Sequence, residues 1–176
     1  MKKEIKIAVS GKSGCGNTTV SKMAADALGL DFINFTFRSL ASERGVDFKE
    51  ILEAASKDDS IDKEVDKRQV QLASQSAGCV LGSRLAIWML NEADLKIYLY
   101  ADPQTRARRI HKREGGSLDE VAAFTAERDS QDRQRYLRIY GIDVDDYSFA
   151  DLIIKTDNIT PQQIVDLIVE KARNKE

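Results

Sequence analysis

The 176-residue sequence predicts an α/β fold, a five-stranded parallel sheet with helices on both faces. Three observations predict it. Five apolar runs of strand length occur, and helical segments separate them. A Gly-rich loop joins the first run to the first helix. The only two prolines, Pro103 and Pro161, each stand just after a predicted strand.

Residues 4–9, EIKIAV, alternate and then turn apolar, which suits a buried strand. The loop GKSGCG follows. In TTVSKMAADALGL the spacing puts Val20, Met23, Ala24, Ala27 and Leu28 on one helical face, and Gly29 ends the helix. DFINF, 31–35, is the second predicted strand. Residues 36–77 are helical and charged, with punctuation near Gly45 and at KDDS, 57–60. CVLGS, 79–83, and DLKIYLY, 94–100, are the third and fourth strands. Residues 104–140 are helical and rich in arginine, with a break at Gly115 and Gly116. DLIIKT, 151–156, is the fifth strand. Pro161 opens a last helix with apolar residues at 164, 165, 168 and 169.

A single domain is expected, and 42% hydrophobic residues suffice for a full core. Charge excludes some functions. The 27 Lys and Arg are offset by 29 Asp and Glu, so no polyanion-binding signature exists and no nucleic-acid partner is expected. No apolar stretch approaches a membrane span, and the basic N-terminus leads into a strand-length run rather than a signal core. A cytoplasmic protein without a membrane partner is the expectation. Cys15 and Cys79 form no C-x-x-C pair, which suits a reducing compartment. Cys79 sits in an apolar run and reads as core. Cys15 lies in the Gly-rich loop, is expected to be open to alkylating reagents, and has no base beside it to make it a nucleophile.

Residues 10–20, SGKSGCGNTTV, have the spacing of a phosphate-binding loop, G-x-x-x-x-G-K-[ST], with one letter changed. Strand, glycines and helix follow in the order that the motif needs. Gly11, Gly14 and Gly16 are expected to let a polyphosphate approach the backbone. The amides of Lys12, Ser13, Cys15, Asn17, Thr18 and Thr19 are candidates to point at it, helped by the helix dipole. The Thr18 hydroxyl can reach a phosphate-bound Mg²⁺. The position of the usual lysine is Asn17, which can donate hydrogen bonds but cannot neutralise charge. Two other cation sources are visible, Lys12 inside the loop and the arginines of 106–138.

That stretch holds Arg106, Arg108, Arg109, Arg113, Arg128, Arg133, Arg135 and Arg138. In RDSQDRQR, Arg128, Asp132 and Arg135 fall at i, i+4 and i+7 on one helical face, with Asp129 a quarter-turn round. Such a segment is either a lid that swings basic groups over phosphates or a solvated helix laced with ion pairs. His111 reads as a surface residue, and DVDD, 143–146, as a solvated turn.

Together these pieces resemble the nucleoside monophosphate kinases, specifically the short, archaeal-type cytidylate kinases. The resemblance runs almost end to end. It is carried by IAVSGKSGCGNTTV, FTFRSLASERG (35–45), IDKEVDKRQV (61–70), SRLAIWMLNEADLKIYL (83–99) and RDSQDRQRYLRIYGID (128–143), in that order. It implies a P-loop kinase: a three-layer α/β/α sandwich with strand order 2-3-1-4-5. It implies one kinase domain over 1–176, acceptor-binding helices at about 36–77 and a helical lid at about 112–140. The implied reaction uses ATP and Mg²⁺ to convert CMP or dCMP to CDP or dCDP, in a monomer whose partners are nucleotides.

The resemblance also implies roles. Lys12, Arg106, Arg128 and Arg135 would supply catalytic charge, with Arg109 near the donor phosphates or the lid hinge. Arg38 and Arg84 would bind the acceptor's α-phosphate. Asp129 and Asp132 match the acidic positions of the family's R-D-x-x-D-x-x-R pattern and would contact the acceptor. Asp62, Asp66 and Arg68 would line the acceptor pocket, and Asp157 and Asn158 would lie beside the donor's adenine. Some short members carry threonine where this chain has Asn17. Relatives often read E-G-R where this chain has Gly82-Ser83-Arg84, so the acid that orients metal-bound water is replaced by Ser83. Those two departures leave open a nucleotide-binding homologue with weakened catalysis, and the base pocket leaves open UMP or AMP as acceptor.

Overall fold

A computed structural model describes residues 5–175. Glu4, which opens the first predicted strand, and the basic residues before it lie outside the described residues. Five strands form one sheet: β1 (Lys6–Gly11), β2 (Asp31–Ile33), β3 (Cys79–Gly82), β4 (Leu95–Tyr100) and β5 (Leu152–Lys155). The order is β2-β3-β1-β4-β5 and every pairing is parallel. Both features are as expected.

Side-chain alternation explains the layers. Ile7 and Val9 of β1, with Leu95, Ile97 and Leu99 of β4, face one side. There they meet Val20 and Ala24 of α1 (Asn17–Leu28) and Val165 and Ile168 of α8 (Pro161–Arg173). Ala8, Leu81 and Tyr98 face the other side. They pack on Ala73 of α4 (Asp59–Gln75) and on Ala86 and Ile87 of α5 (Ala86–Met89). Each fully buried Ile, Leu or Val contributes about 1.5–3 kcal/mol, so neither face could be left to water.

A satellite core lies beyond the edge of β2. Phe35, Leu40, Ile51, Ile61 and Val65 join α2 (Phe37–Arg44), α3 (Phe48–Lys57) and α4. Asp47 and Asp58 start α3 and α4 by accepting the backbone N–H groups of Lys49 and Ser60 at 2.7 and 2.8 Å. After β4 come α6 (Pro103–Glu114) and the long α7 (Leu118–Tyr140), separated at Gly115 and Gly116 with φ of +79° and +88°. Both prolines occupy the first turn of their helices, α6 and α8.

Several boundaries differ from the sequence expectation. The second strand stops at Ile33 rather than 35, because Phe35 turns into the satellite core and Thr36 caps α2. The apolar face of α1 carries Ser21 and Ala25 where Ala27 was expected, and Ala27 is exposed. The four-residue α5 was not foreseen. Such a short turn leaves no periodicity to read, and it is fixed by Ile87 N–H donating to the buried Ser10 hydroxyl at 3.1 Å.

Candidate active site

β1 ends at Gly11, and Gly16 caps α1 in the left-handed region at φ +84°. The glycines are also required by the packing of the loop itself. A Cβ on Gly11 would lie 2.8 Å from the Leu99 carbonyl oxygen, and one on Gly14 2.9 Å from the backbone of Arg106. Those two positions let the loop pack against β4 and α6. Only Gly16 has open space around its missing side chain, and there the positive φ decides.

Asn17 answers for the missing lysine. Its Nδ2 donates to the carbonyls of Val9 at 3.1 Å and Ser83 at 3.3 Å, and its Oδ1 accepts from the Ser21 hydroxyl at 2.9 Å. The side chain ties the ends of β1 and β3 together beneath the loop. Gly82 belongs to the same knot, since a Cβ there would fall 2.6 Å from Ser21 Oγ. Thr18 and Thr19 stand exposed at the head of α1.

Arginines hold the loop from behind. Arg106, 5% exposed, donates to the Ser13 carbonyl at 3.2 Å and pairs with Asp129 at 2.6 Å. Arg109 donates to the Gly14 carbonyl at 3.1 Å and to Thr156. Two loop carbonyls are engaged from that side, and the Cys15 N–H, expected to meet a phosphate, donates instead to the Lys12 carbonyl at 3.1 Å, which leaves the remaining loop amides for a ligand. Cys15 is a correction. It is 3% exposed within the core, and burial pushes its thiol above the ordinary value although Arg106 opposes this. Cys79 is fully buried, as expected, and burial raises its thiol to about 11.

In front of the loop lies a cleft of about 760 Å³. Lys12, Ser13, Asn17, Thr18 and Thr19 line one side. Arg84, Arg128, Asp132 and Arg135 line another. Asp132, 8% exposed, joins Arg84 and Arg135, the latter at 3.1 Å. Arg84 also donates to the Ser13 hydroxyl at 2.6 Å. Burial first, and then the nearby Arg128, hold the Arg84 guanidinium below its ordinary range. Arg128 is exposed and has no carboxylate partner among the described residues. An unpaired Arg128 close to the half-buried Arg84 is what an anionic ligand would relieve.

The segment DVDD does turn, with Asp145 and Asp146 exposed as expected, but it is tied to its surroundings. Val144 is buried, Asp143 makes a two-pronged pair with Arg133 at 2.8 and 2.7 Å, and Asp145 holds Lys12 at 2.6 Å. The Arg133 contact pulls the Asp143 carboxyl down to about 2. His111 is half-buried rather than on the surface, with Nδ1 unpaired.

The far wall of the cleft is α4. Asp62 lies 3.4 Å from Arg135, and Asp66 accepts from the Tyr140 hydroxyl at 2.7 Å. Burial raises both carboxyls, Asp66 to about 6. Gln69, one turn further on, also lines the cleft and was missed from the sequence. Its spacing from Asp62 and Asp66 on a helix was the available signal. Four expected residues stand elsewhere. The Arg38 guanidinium stacks on Phe48 with 4.0 Å to the ring centroid, and Arg68 pairs with Glu43 at 3.2 Å. Asp157 accepts from the Asp102 N–H at 3.0 Å, behind the loop, and neither it nor Asn158 lines the cleft.

Residues 6–158 match the cytidylate kinase-like family. The chain belongs to that family. Among its relatives is cytidylate kinase 2 of Borrelia garinii subsp. bavariensis, 51% identical over 93% of this chain and 94% of that one. Cytidylate kinase of Pyrococcus horikoshii is 42% identical over 95% of this chain and 88% of that one. The fold is shared more widely. Shikimate kinase from Bacteroides thetaiotaomicron superposes with a TM-score of 0.65 at 16% identity, covering 96% of this chain and 98% of that one. The fold is thus shared with that shikimate kinase. No helix among the described residues is long and apolar enough to cross a membrane.

Proposed function

We propose that this protein transfers the γ-phosphoryl group of ATP to CMP or dCMP, giving CDP or dCDP. The observation that carries the proposal is one cleft with two unlike walls. The phosphate loop and the arginines Arg84, Arg128 and Arg135 meet across it, and a carboxylate-bearing helix closes its far side. The names of the relatives agree with that chemistry.

In this reaction the loop amides and the α1 N-terminus hold the donor phosphates. Arg84, held by Asp132, fixes the acceptor phosphate beside Ser13. Arg128 and Arg135 face the charge that develops on the transferring group. Arg106 and Arg109 act one step back, as positioning residues for the loop. Among the described residues no cluster of three or more His, Cys, Asp or Glu could hold a metal ion. Mg²⁺ needs few protein ligands. Thr18, with substrate phosphates and water, fits that need, and the ion would neutralise charge on the donor. Gly115 and Gly116 are the hinge about which the first half of α7 closes and excludes water. Tyr136, buried against Leu85 and Val144, anchors the second half.

The test is ADP release with Mg-ATP and each of CMP, dCMP, UMP, AMP and GMP, beside a control without acceptor. Turnover strongest with CMP or dCMP is expected. Saturable ATP binding with no turnover would favour a binding homologue, the alternative motivated by Asn17 being tied into the sheet.

A further inference from the structure

On α4, Asp62, Asp66 and Gln69 fall at i, i+4 and i+7, and all three line the cleft. Gln69 is 7% exposed, and its Oε1 is buried without a hydrogen-bond partner. An unmade buried hydrogen bond costs about 1–3 kcal/mol, so folding alone gives no reason for an amide here. Phe35 and Val65, which share one apolar cluster, also line the cleft. Asp66 uses one oxygen on Tyr140, and its other oxygen has no partner among the described residues.

We propose that Gln69 and Asp66 together read the acceptor's base and select a 4-aminopyrimidine over a 4-oxopyrimidine. An ionised carboxylate only accepts, whereas an amide both donates and accepts. Cytosine offers an amine donor at C4 beside an acceptor at N3. One hydrogen of the amine goes to Asp66 and the other to the unpartnered Gln69 Oε1, while the Gln69 amide nitrogen donates to N3. Uracil offers the reverse pair, O4 as acceptor and N3–H as donor, which sets O4 against the carboxylate. A site built around such a pair rejects the mismatched base by about 100-fold or more. Adenine carries a similar amine and acceptor pair, so the inference concerns amine against carbonyl and not ring size.

This inference rests on the proposed acceptor, and the experiment separates the two. Affinities for CMP and UMP are measured by titration, and kcat/KM alongside, in the wild type, Gln69→Leu, Gln69→Glu and Asp66→Asn. ATP affinity in each variant reports whether the protein is folded. The wild type is expected to prefer CMP in both measurements. Gln69→Glu, which keeps the shape and loses the donor, is expected to weaken CMP at least 10-fold. Asp66→Asn gains a donor for O4 and is expected to narrow the CMP-to-UMP ratio at least 10-fold, partly by binding UMP more tightly. Unchanged CMP-to-UMP ratios in every variant with normal ATP affinity would overturn the inference. A wild type that binds CMP selectively without turnover would sink the kinase proposal alone, and the binding ratios would still decide this one.

Discussion

Lys12 Nζ lies 2.6 Å from Asp145 Oδ1, so the single lysine of the phosphate loop is held by the segment that follows α7. Asp145 is itself within 3.4 Å of Arg133 on that helix. The loop's own cation and the arginine helix therefore share one carboxylate.

If Lys12 supplies the charge that Asn17 cannot, Lys12→Ala lowers kcat by about 100- to 1000-fold with a modest loss of CMP affinity. Asp145→Asn frees the lysine for the donor and lowers the KM for ATP by about 2- to 5-fold, the scale of a part-exposed ion pair. Steady-state kinetics read both. An unchanged rate in Lys12→Ala would leave the arginines as the source of charge.

Asn17→Lys restores the usual motif and is nonetheless expected to damage the protein. It removes the contacts to Val9, Ser83 and Ser21. Stability should fall by about 1–3 kcal/mol, a drop of roughly 3–10 °C in Tm, and turnover should not rise. A faster, equally stable variant would show that the strut is dispensable.

Gly14→Ala and Gly16→Ala separate two kinds of strain. At Gly14 a Cβ meets the Arg106 backbone at 2.9 Å and φ is +83°, so both packing and conformation oppose it. At Gly16 only the backbone conformation does, at about 1–2 kcal/mol. Thermal melts should rank Gly14→Ala as clearly the worse.

The Asp66 carboxyl has a testable pH signature. Burial raises it to about 6, against opposition from the Tyr140 hydroxyl and Arg135 and with help from Asp62. The folded state thus binds a proton more tightly than the unfolded chain. Its contribution is fully present below about pH 4 and is lost as pH rises through 6. Asp143, held down to about 2 by Arg133, slopes the other way at lower pH. Asp66→Asn should therefore stabilise the protein at pH 7–8, on the order of 2 kcal/mol, and the difference from wild type should vanish near pH 4. Denaturant melts across that range would show it. A difference independent of pH would contradict the raised carboxyl.

Both cysteines should resist alkylation in the native protein and react once it is unfolded, since each is buried. Rapid native labelling of Cys15 would mean that the loop opens readily.

The sequence alone determined the sheet, its five strands and the helices around them, the short α5 excepted. Apolar runs and helical periodicity are local, and they report which residues must leave water. It also located the phosphate loop, because glycine spacing between a strand and a helix is local too. What the tertiary structure decided is where the polar side chains go. Asn17 has the spacing of a phosphate ligand, yet its amide finds the carbonyls of Val9 and Ser83. Gly14 reads as room for a phosphate, yet it makes room for α6. Arg106 reads as a source of catalytic charge, yet it is buried behind the loop. Gln69 carries no motif and still reaches the cleft, because α4 turns the same face there as Asp62 and Asp66. A polar group takes whichever partner the fold brings within hydrogen-bond reach, and that partner can be 66 or 93 residues away in the chain, as Ser83 is for Asn17 and Ser13 for Arg106.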